Sequence, residues 1–282
     1  YCAANPLPEI QVDALYDLIL TRHAVSMVLA ARQSREQPDN AYLTVSQGEI
    51  WPALCKWLAL NRSLAIARLR AACGRKPVAA RRAIERWILQ NNGSFGPVLP
   101  VPLERTQVTV LPLGVDRDRV GCARPGLSYA ERLDAVVPSA VGTPVGRYAE
   151  NRSIYGAQDD DAGRRTLHLA IDLYAAAGTP VFAPLPGRIA MIGNDASPEG
   201  FGGILVLEHE GGEPHHFWTV YGHLAPASVA PQRIGDAVTL GATVGRLGVP
   251  EENGGWPPHL HFQLLTTLCF DTAESIIGLA AR

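Results

Sequence analysis

Between residues 141 and 282 the chain has no lysine. That half therefore cannot carry a cofactor or an acyl group on a lysine side chain. Cysteine is present but unpatterned: Cys2, Cys55, Cys73, Cys122 and Cys269 are odd in number and scattered, with no Cys-x-x-Cys spacing. Such a set predicts free thiols, not a disulfide framework or a cysteine-ligated zinc. Charge of one sign is also missing. The net value of −2 offers no electrostatic footprint for nucleic acid or an anionic membrane. No Gly-x-Ser-x-Gly elbow occurs, which disfavours a serine hydrolase of that type. Gly200-Phe-Gly-Gly203 is not followed by a helical pattern, which disfavours a nucleotide loop. The start shows no secretory signal, and no apolar run near ~18 residues is read, so no membrane span is expected. The first residue is Tyr1, not Met, so the chain reads as a processed product or a piece of something longer.

What is present divides the chain. Its 282 residues are enough for about two domains at ~100–200 residues each. Hydrophobic content of 47% with 18% charged residues suits a globular protein with a sizeable core. Residues 10–32 repeat apolar side chains at the helical period. A second helical stretch is expected over Trp51–Cys73, with Asn61-Arg62 as a point where it breaks, and a third over Val78–Leu89. His23 reads as packed or solvated, and the arginines of 70–86 as a solvated face. Most of the 27 glycines and 22 prolines fall beyond residue 92. Residues 93–140 read as a connector, with a strand at Gln107–Leu111 and a short helix at Tyr129–Val136. From Val141 the pattern is all-β. Strands are expected at 166–173, 180–183, 187–192, 203–209, 215–221, 237–240, 243–247 and 260–265, with a hairpin turn at Glu210-Gly-Gly-Glu-Pro214. The overall class is α+β. The domains are 1–92 (helical), 93–140 (connector), 141–268 (β domain) and 269–282 (tail).

The chemistry gathers at His259-Leu-His261-Phe-Gln-Leu264. Residues two apart on a strand share a face, so His259 and His261 present both imidazoles together. Upstream, His168-Leu-Ala-Ile-Asp172 adds a histidine and a carboxylate, and Tyr221-Gly-His223-Leu224 adds another histidine. Imidazole and carboxylate are ordinary zinc ligands, and three of them plus water make a catalytic site. The residues alone assign His168, Asp172 and one of His259 or His261 to the metal. Four residues of flat strand span about 13 Å, too far for two ligands of one ion, so the chain between His168 and Asp172 must bend or bulge. Asp159-Asp160-Asp161 reads as a solvated acidic loop, lacking the remaining calcium-ligand spacing. His209, His215 and His216 read as exposed or structural, and Tyr221 as packing or lining the cleft.

These motifs, with Gly178-Thr-Pro-Val181, Gly187-Arg-Ile189 and the Gly241/Gly245 pair, resemble the lysostaphin/LytM-type zinc metalloendopeptidases over about residues 141–268. The resemblance implies a duplicated hybrid motif (barrel-sandwich hybrid-like) fold and a Zn2+ cofactor. Carried over residue by residue, it makes His168, Asp172 and His261 the metal ligands and His223 and His259 the catalytic pair. It implies hydrolysis of peptide bonds in peptidoglycan cross-links or glycine-rich peptides by a zinc-bound water. Two positions depart from the family pattern: Ala170 replaces a usual Gly, and Trp256-Pro257-Pro258 precedes His259 where Gly-Pro is more usual.

Two other classes compete. One is a non-enzymatic regulatory or binding module; members of that kind have usually lost zinc ligands, and here all are present. The other is a carrier domain. Gly235-Asp-Ala-Val238 and Gly241-Ala-Thr-Val244-Gly245 resemble lipoyl/biotinyl-type folds, which need the missing lysine. Residues 1–92, through the helix near Leu15–Arg32 and Pro38-Asp-Asn-Ala-Tyr-Leu43, resemble the helical end of an aminoglycoside-phosphotransferase-like lobe. Such lobes occur in fusions with a LytM-type domain and a class III aminotransferase. No phosphate-gripping loop or magnesium Asp accompanies the likeness, so no kinase activity is expected. A metabolic fusion implies the cytoplasm, and a cell-wall hydrolase the cell envelope.

Overall fold

The computed structural model describes residues 4–40, 47–101, 103, 107–113, 133, 137, 142–152, 165–276 and 278–281. The expected helix at Tyr129–Val136, the Asp159–Asp161 loop, Cys2 and Cys122 lie wholly or mostly outside these. Contacts divide the chain into two compact units, Tyr1–Arg81 with Thr267–Asp271, and Arg82–Thr266 with Thr272–Arg282.

The first unit is helical. Helix α1 spans Glu9–Glu36, α2 Gln47–Leu58 and α3 Arg62–Ala72. The long expected helix breaks because Asn61 caps α3, its Oδ1 accepting from Leu64 N at 3.1 Å. Its Nδ2 also donates to Asp271 Oδ1 at 2.8 Å. Tyr16 of α1 meets Trp57 of α2 edge-on at 5.9 Å. Arg70 corrects the solvated-face expectation. It is buried, donating to Asp13 at 2.6 Å and Glu9 at 2.8 Å, so α3 docks on α1 through a paired charge. Helix α1 corrects another. Among the described residues it is one helix long and apolar enough to cross a membrane, by length and composition. From Ala14 to Ala31 its only carboxylate, Lys or Arg residues are Asp17 and Arg22, so the run is longer than it reads.

The second unit opens with helix α4, Arg81–Asn91. Ile84 is fully buried, and Trp87 packs on Phe95 at 6.3 Å and Phe217 at 5.8 Å. Among the described residues twelve strands come after it: β1 Val108–Val110, β2 Thr143–Gly146, β3 Arg165–His168, β4 Ile171–Tyr174, β5 Pro180–Phe182, β6 Gly187–Asp195, β7 Gly202–Glu210, β8 His216–Leu224, β9 Ala237–Val238, β10 Thr243–Arg246, β11 His259–Leu265 and β12 Leu279–Ala281. Eight form one sheet in the order β1-β2-β4-β11-β8-β7-β6-β9. Only β1–β2 pairs parallel among these; β5–β10 and β3–β12 are small antiparallel pairs. The helices-then-sheet order is α+β, as expected.

The core joins Val181 of β5 and Val244 of β10 to Leu173, Leu205, Leu207, Tyr221 and Leu260 of the large sheet, with Val98 and Leu99 among them. Alternation on β11 sends Leu260 and Phe262 to this core. It sends His259, His261 and Gln263 to the opposite face. On β4 the same rule sends Leu173 inward and places Asp172 and Tyr174 on the other face.

Candidate metal centre

The segment His168–Asp172 does not run as one strand. It breaks at Leu169-Ala170: β3 leaves to pair with β12 and β4 stays in the large sheet, paired with β11. The bend places His168 Nε2 3.2 Å from Asp172 Oδ1. Register does the rest, setting His261 opposite Asp172. His261 Nδ1 lies 3.3 Å from Asp172 Oδ1 and 3.4 Å from His168 Nε2. His259 Nε2 is 3.8 Å from the same oxygen. His168, Asp172 and His261 are the cluster among the described residues that could hold a metal ion.

His223 arrives by a different device. Plain alternation would put Tyr221 and His223 on one face of β8. A bulge against β7 and a left-handed backbone at His223 (φ 62°) turn them apart. Tyr221 goes to the core, and His223 joins the site with its ring 4.2 Å from that of His259. Phe201 lies against His223 at 5.4 Å and His261 at 4.9 Å, and Tyr174 stacks on His259 at 4.9 Å. Gly278, just before β12, closes another side: a Cβ there would sit 2.6 Å from Phe201 Cζ and 2.9 Å from His261 Cε1. All five polar residues keep only 2–5% exposure.

Hydrogen bonds settle which ring nitrogens face inward. His168 Nδ1 donates to Arg147 O at 2.9 Å, His223 Nδ1 to Asn253 O at 3.0 Å and His259 Nδ1 to Pro257 O at 2.7 Å. A backbone carbonyl only accepts, so in each case the neutral ring carries its proton on Nδ1 and has Nε2 bare. His261 is reversed: its Nε2 meets Gln263 Oε1 at 3.1 Å, leaving Nδ1 bare. Outer partners of this sort orient metal-binding imidazoles. Asp172 Oδ1, buried with no hydrogen-bond partner, thus faces nitrogen lone pairs. A cation between them removes the repulsion. The donor spacings of 3.2–3.4 Å fit zinc: tetrahedral bonds of about 2.0–2.1 Å put ligand atoms about 3.3 Å apart.

Electrostatics agree with neutral imidazoles around an anion. Burial lowers His223 well below its ordinary value, helped by repulsion from His259 and His261. Burial also brings His259 down to about 4 and lowers His261. Burial alone would raise the Asp172 carboxyl, but the charged Arg152 guanidinium on its Oδ2 holds it well below the usual carboxylate range. Of the other histidines, His209 is structural: buried, with Nδ1 toward Pro186 O and Nε2 toward Thr219 Oγ1 at 2.8 and 2.7 Å. His216 is exposed beside Glu208. Ala170 is buried in the break between β3 and β4. Arg152, Phe201, Asn253 and Gln263 belong to the site and carry no motif. Cys55 and Cys269 have free thiols.

Comparison with known proteins points the same way. Residues 166–269 match the family model described as Peptidase family M23. No curated protein matches the chain. Among solved structures, a zinc-containing peptidase from Vibrio cholerae is 23% identical, with TM-score 0.32, over 42% of this chain and 31% of that one. The catalytic domain of lysostaphin from Staphylococcus simulans is 28% identical, with TM-score 0.30, over 36% of this chain and 71% of its own. A glycyl-glycine endopeptidase LytM described as putative, from Ruminococcus gnavus, is 25% identical, with TM-score 0.28, over 35% of this chain and 39% of that one. This chain thus spans under a third of the Vibrio peptidase. The family match leaves residues 1–165 and 270–282 outside it. Residues 166–269 of this chain are thus similar to Peptidase family M23.

Proposed function

We propose that the chain is a zinc-dependent endopeptidase that hydrolyses peptide bonds, with peptidoglycan cross-links or glycine-rich peptides as substrate. One observation carries the reading: bare nitrogens of His168 and His261 meet an unpartnered Asp172 Oδ1, with the bare Nε2 of His259 near the same oxygen. His168, Asp172 and His261 would hold zinc. Bound there, zinc would supply a Lewis acid that polarises a carbonyl and lowers the pKa of bound water to about 7.

The chain's own groups supply proton handling. His223 and His259 have Nδ1–H tied to carbonyls, so each offers a bare Nε2 as acceptor. Burial keeps both neutral at pH 7, the form that takes a proton from attacking water. Once protonated, the same nitrogen donates to the tetrahedral oxyanion or to the leaving amine. Tyr174 stacks on the His259 ring and Phe201 packs tilted against that of His223, which holds the two rings in place.

The test combines elemental analysis with digestion of purified peptidoglycan and of a pentaglycine peptide. About one zinc per chain is expected, on a three-ligand open site. Chelator-sensitive cleavage of one substrate is expected with it. Zinc without cleavage of either would favour a binding module. Protein that refuses added zinc would overturn the metal reading.

A further inference from the structure

Asp172 is gripped from behind by a buried cation that no motif contains. Arg152 Nη1 donates to Asp172 Oδ2 at 2.6 Å, and both side chains are almost wholly buried. The other edge of the guanidinium is also occupied: Nε and Nη2 meet Glu150 Oε2 at 3.3 and 3.1 Å. Glu150 Oε1 in turn accepts from Arg147 Nη2 at 3.3 Å.

The turn that carries these groups is pinned to the ligand strand. His168 N donates to Glu150 O at 2.9 Å, Ala149 N donates to His168 O at 2.8 Å, and Asn151 bridges Leu167. Arg147 O takes the outer N–H of His168. One turn, residues 147–152, therefore orients two of the proposed ligands at once. Gly146 makes room for it. A Cβ at Gly146 would overlap Arg152 Nη2 and stand 3.1 Å from Asp172 Oδ2.

A carboxylate with both oxygens loose can rotate or bind an ion through one oxygen or two. Here the guanidinium occupies Oδ2 and leaves Oδ1 alone facing the imidazoles. We propose that Arg152 is a positioning residue that fixes Asp172 as a one-oxygen ligand and thereby sets the site's affinity for zinc. This rests on the zinc reading above. The planar fork is the working part. It bonds Asp172 with one edge and Glu150 with the other, which a lysine ammonium cannot reproduce in that geometry.

The experiment uses the full chain with Arg152→Lys and, separately, Gly146→Ala. The second keeps every charge and displaces chiefly the guanidinium, with a smaller push on Asp172. Zinc affinity is read by competition with a chromogenic chelator. Coordination is read from the visible spectrum of the cobalt(II)-loaded protein, which responds to ligand number and geometry. Loss of an outer partner typically costs 10–100-fold in metal affinity. Each variant is therefore expected to bind zinc at least about tenfold more weakly. An altered cobalt spectrum is expected with it. A purely structural ion pair would lower the unfolding temperature and leave the cobalt spectrum as in the parent. A folded variant with parental affinity and spectrum overturns the proposal. If Arg152→Lys does not fold, Gly146→Ala decides alone. A parent chain that binds no zinc sinks the metal reading itself, whereas a zinc-binding parent with unchanged variants sinks only the role of Arg152.

Discussion

At the scale of the residue, the proposed function separates ligands from proton carriers, and substitutions should respect that division. His261→Ala removes a bare nitrogen 3.3 Å from Asp172 Oδ1, so zinc content and activity should fall together. His223→Ala removes no ligand. It should keep zinc while turnover drops on the order of 10²–10⁴-fold, the usual cost of a positioned acid–base group. Zinc analysis beside turnover, with thermal unfolding as control, decides. Parental turnover in His223→Ala would make that imidazole structural. Acid offers a second reading. Burial holds His259 at about 4, against 6.5 for the exposed group. It also lowers His209 and His223. Below pH 6.5 the unfolded chain binds more protons than the folded one. The contribution of these groups is therefore full above that pH and is lost as pH falls toward 4. Each such histidine is worth up to about 1.4 kcal/mol per pH unit in that window. The unfolding midpoint of metal-free protein should fall steadily between pH 7 and pH 5. A flat profile would mean that the rings are wetter than the structure shows.

At the scale of the element, periodic features were the ones legible in the sequence. Alternation on β11 put His259 and His261 on one face, and the four-residue spacing of His168 and Asp172 demanded a bend, which is the break between β3 and β4. The break before α3 was readable because Asn61 is a local signal, and it is the residue that caps the helix. Two kinds of feature were not readable. The bulge that turns His223 away from Tyr221 has no residue signature, since His is simply tolerated at positive φ. Arg152 meets Asp172 only because the β2–β4 ladder sets Gly146 opposite Asp172, and pairing across 26 residues leaves no trace in spacing. The run in α1 was missed because two charges visually divide it. Helix α4 carries an element-scale prediction. Trp87 packs on Phe95 and Phe217, within the same compact unit as the sheet. Trp87→Ala should destabilise that unit by about 2–4 kcal/mol, somewhat under the usual range for a fully buried Trp. Chemical denaturation that leaves the unit's midpoint unmoved would detach α4 from it.

At the scale of the molecule, the contacts draw a boundary at Arg82. Val98 and Leu99 lie in the same core as Val181, Leu205 and Leu260. Residues 82–282 expressed alone should therefore unfold cooperatively at a higher temperature than residues 141–282, which lack those side chains and α4. Equal melting temperatures would place the working boundary near 141 instead. The position of Gly278 has a wider bearing. It presses on the His261 ring, and β12 beyond it pairs with the strand of His168, yet both lie past residue 269, where likeness to the family stops. At the other border, Arg152 and Glu150 stand before residue 166. A chimaera built by transplanting only the family-like stretch would inherit His168, Asp172, His223, His259 and His261 but lose Arg147, Glu150, Arg152 and Gly278, which bear on His168, Asp172 and His261. In this protein, portability of the chemistry begins near Gly146 and ends beyond Gly278.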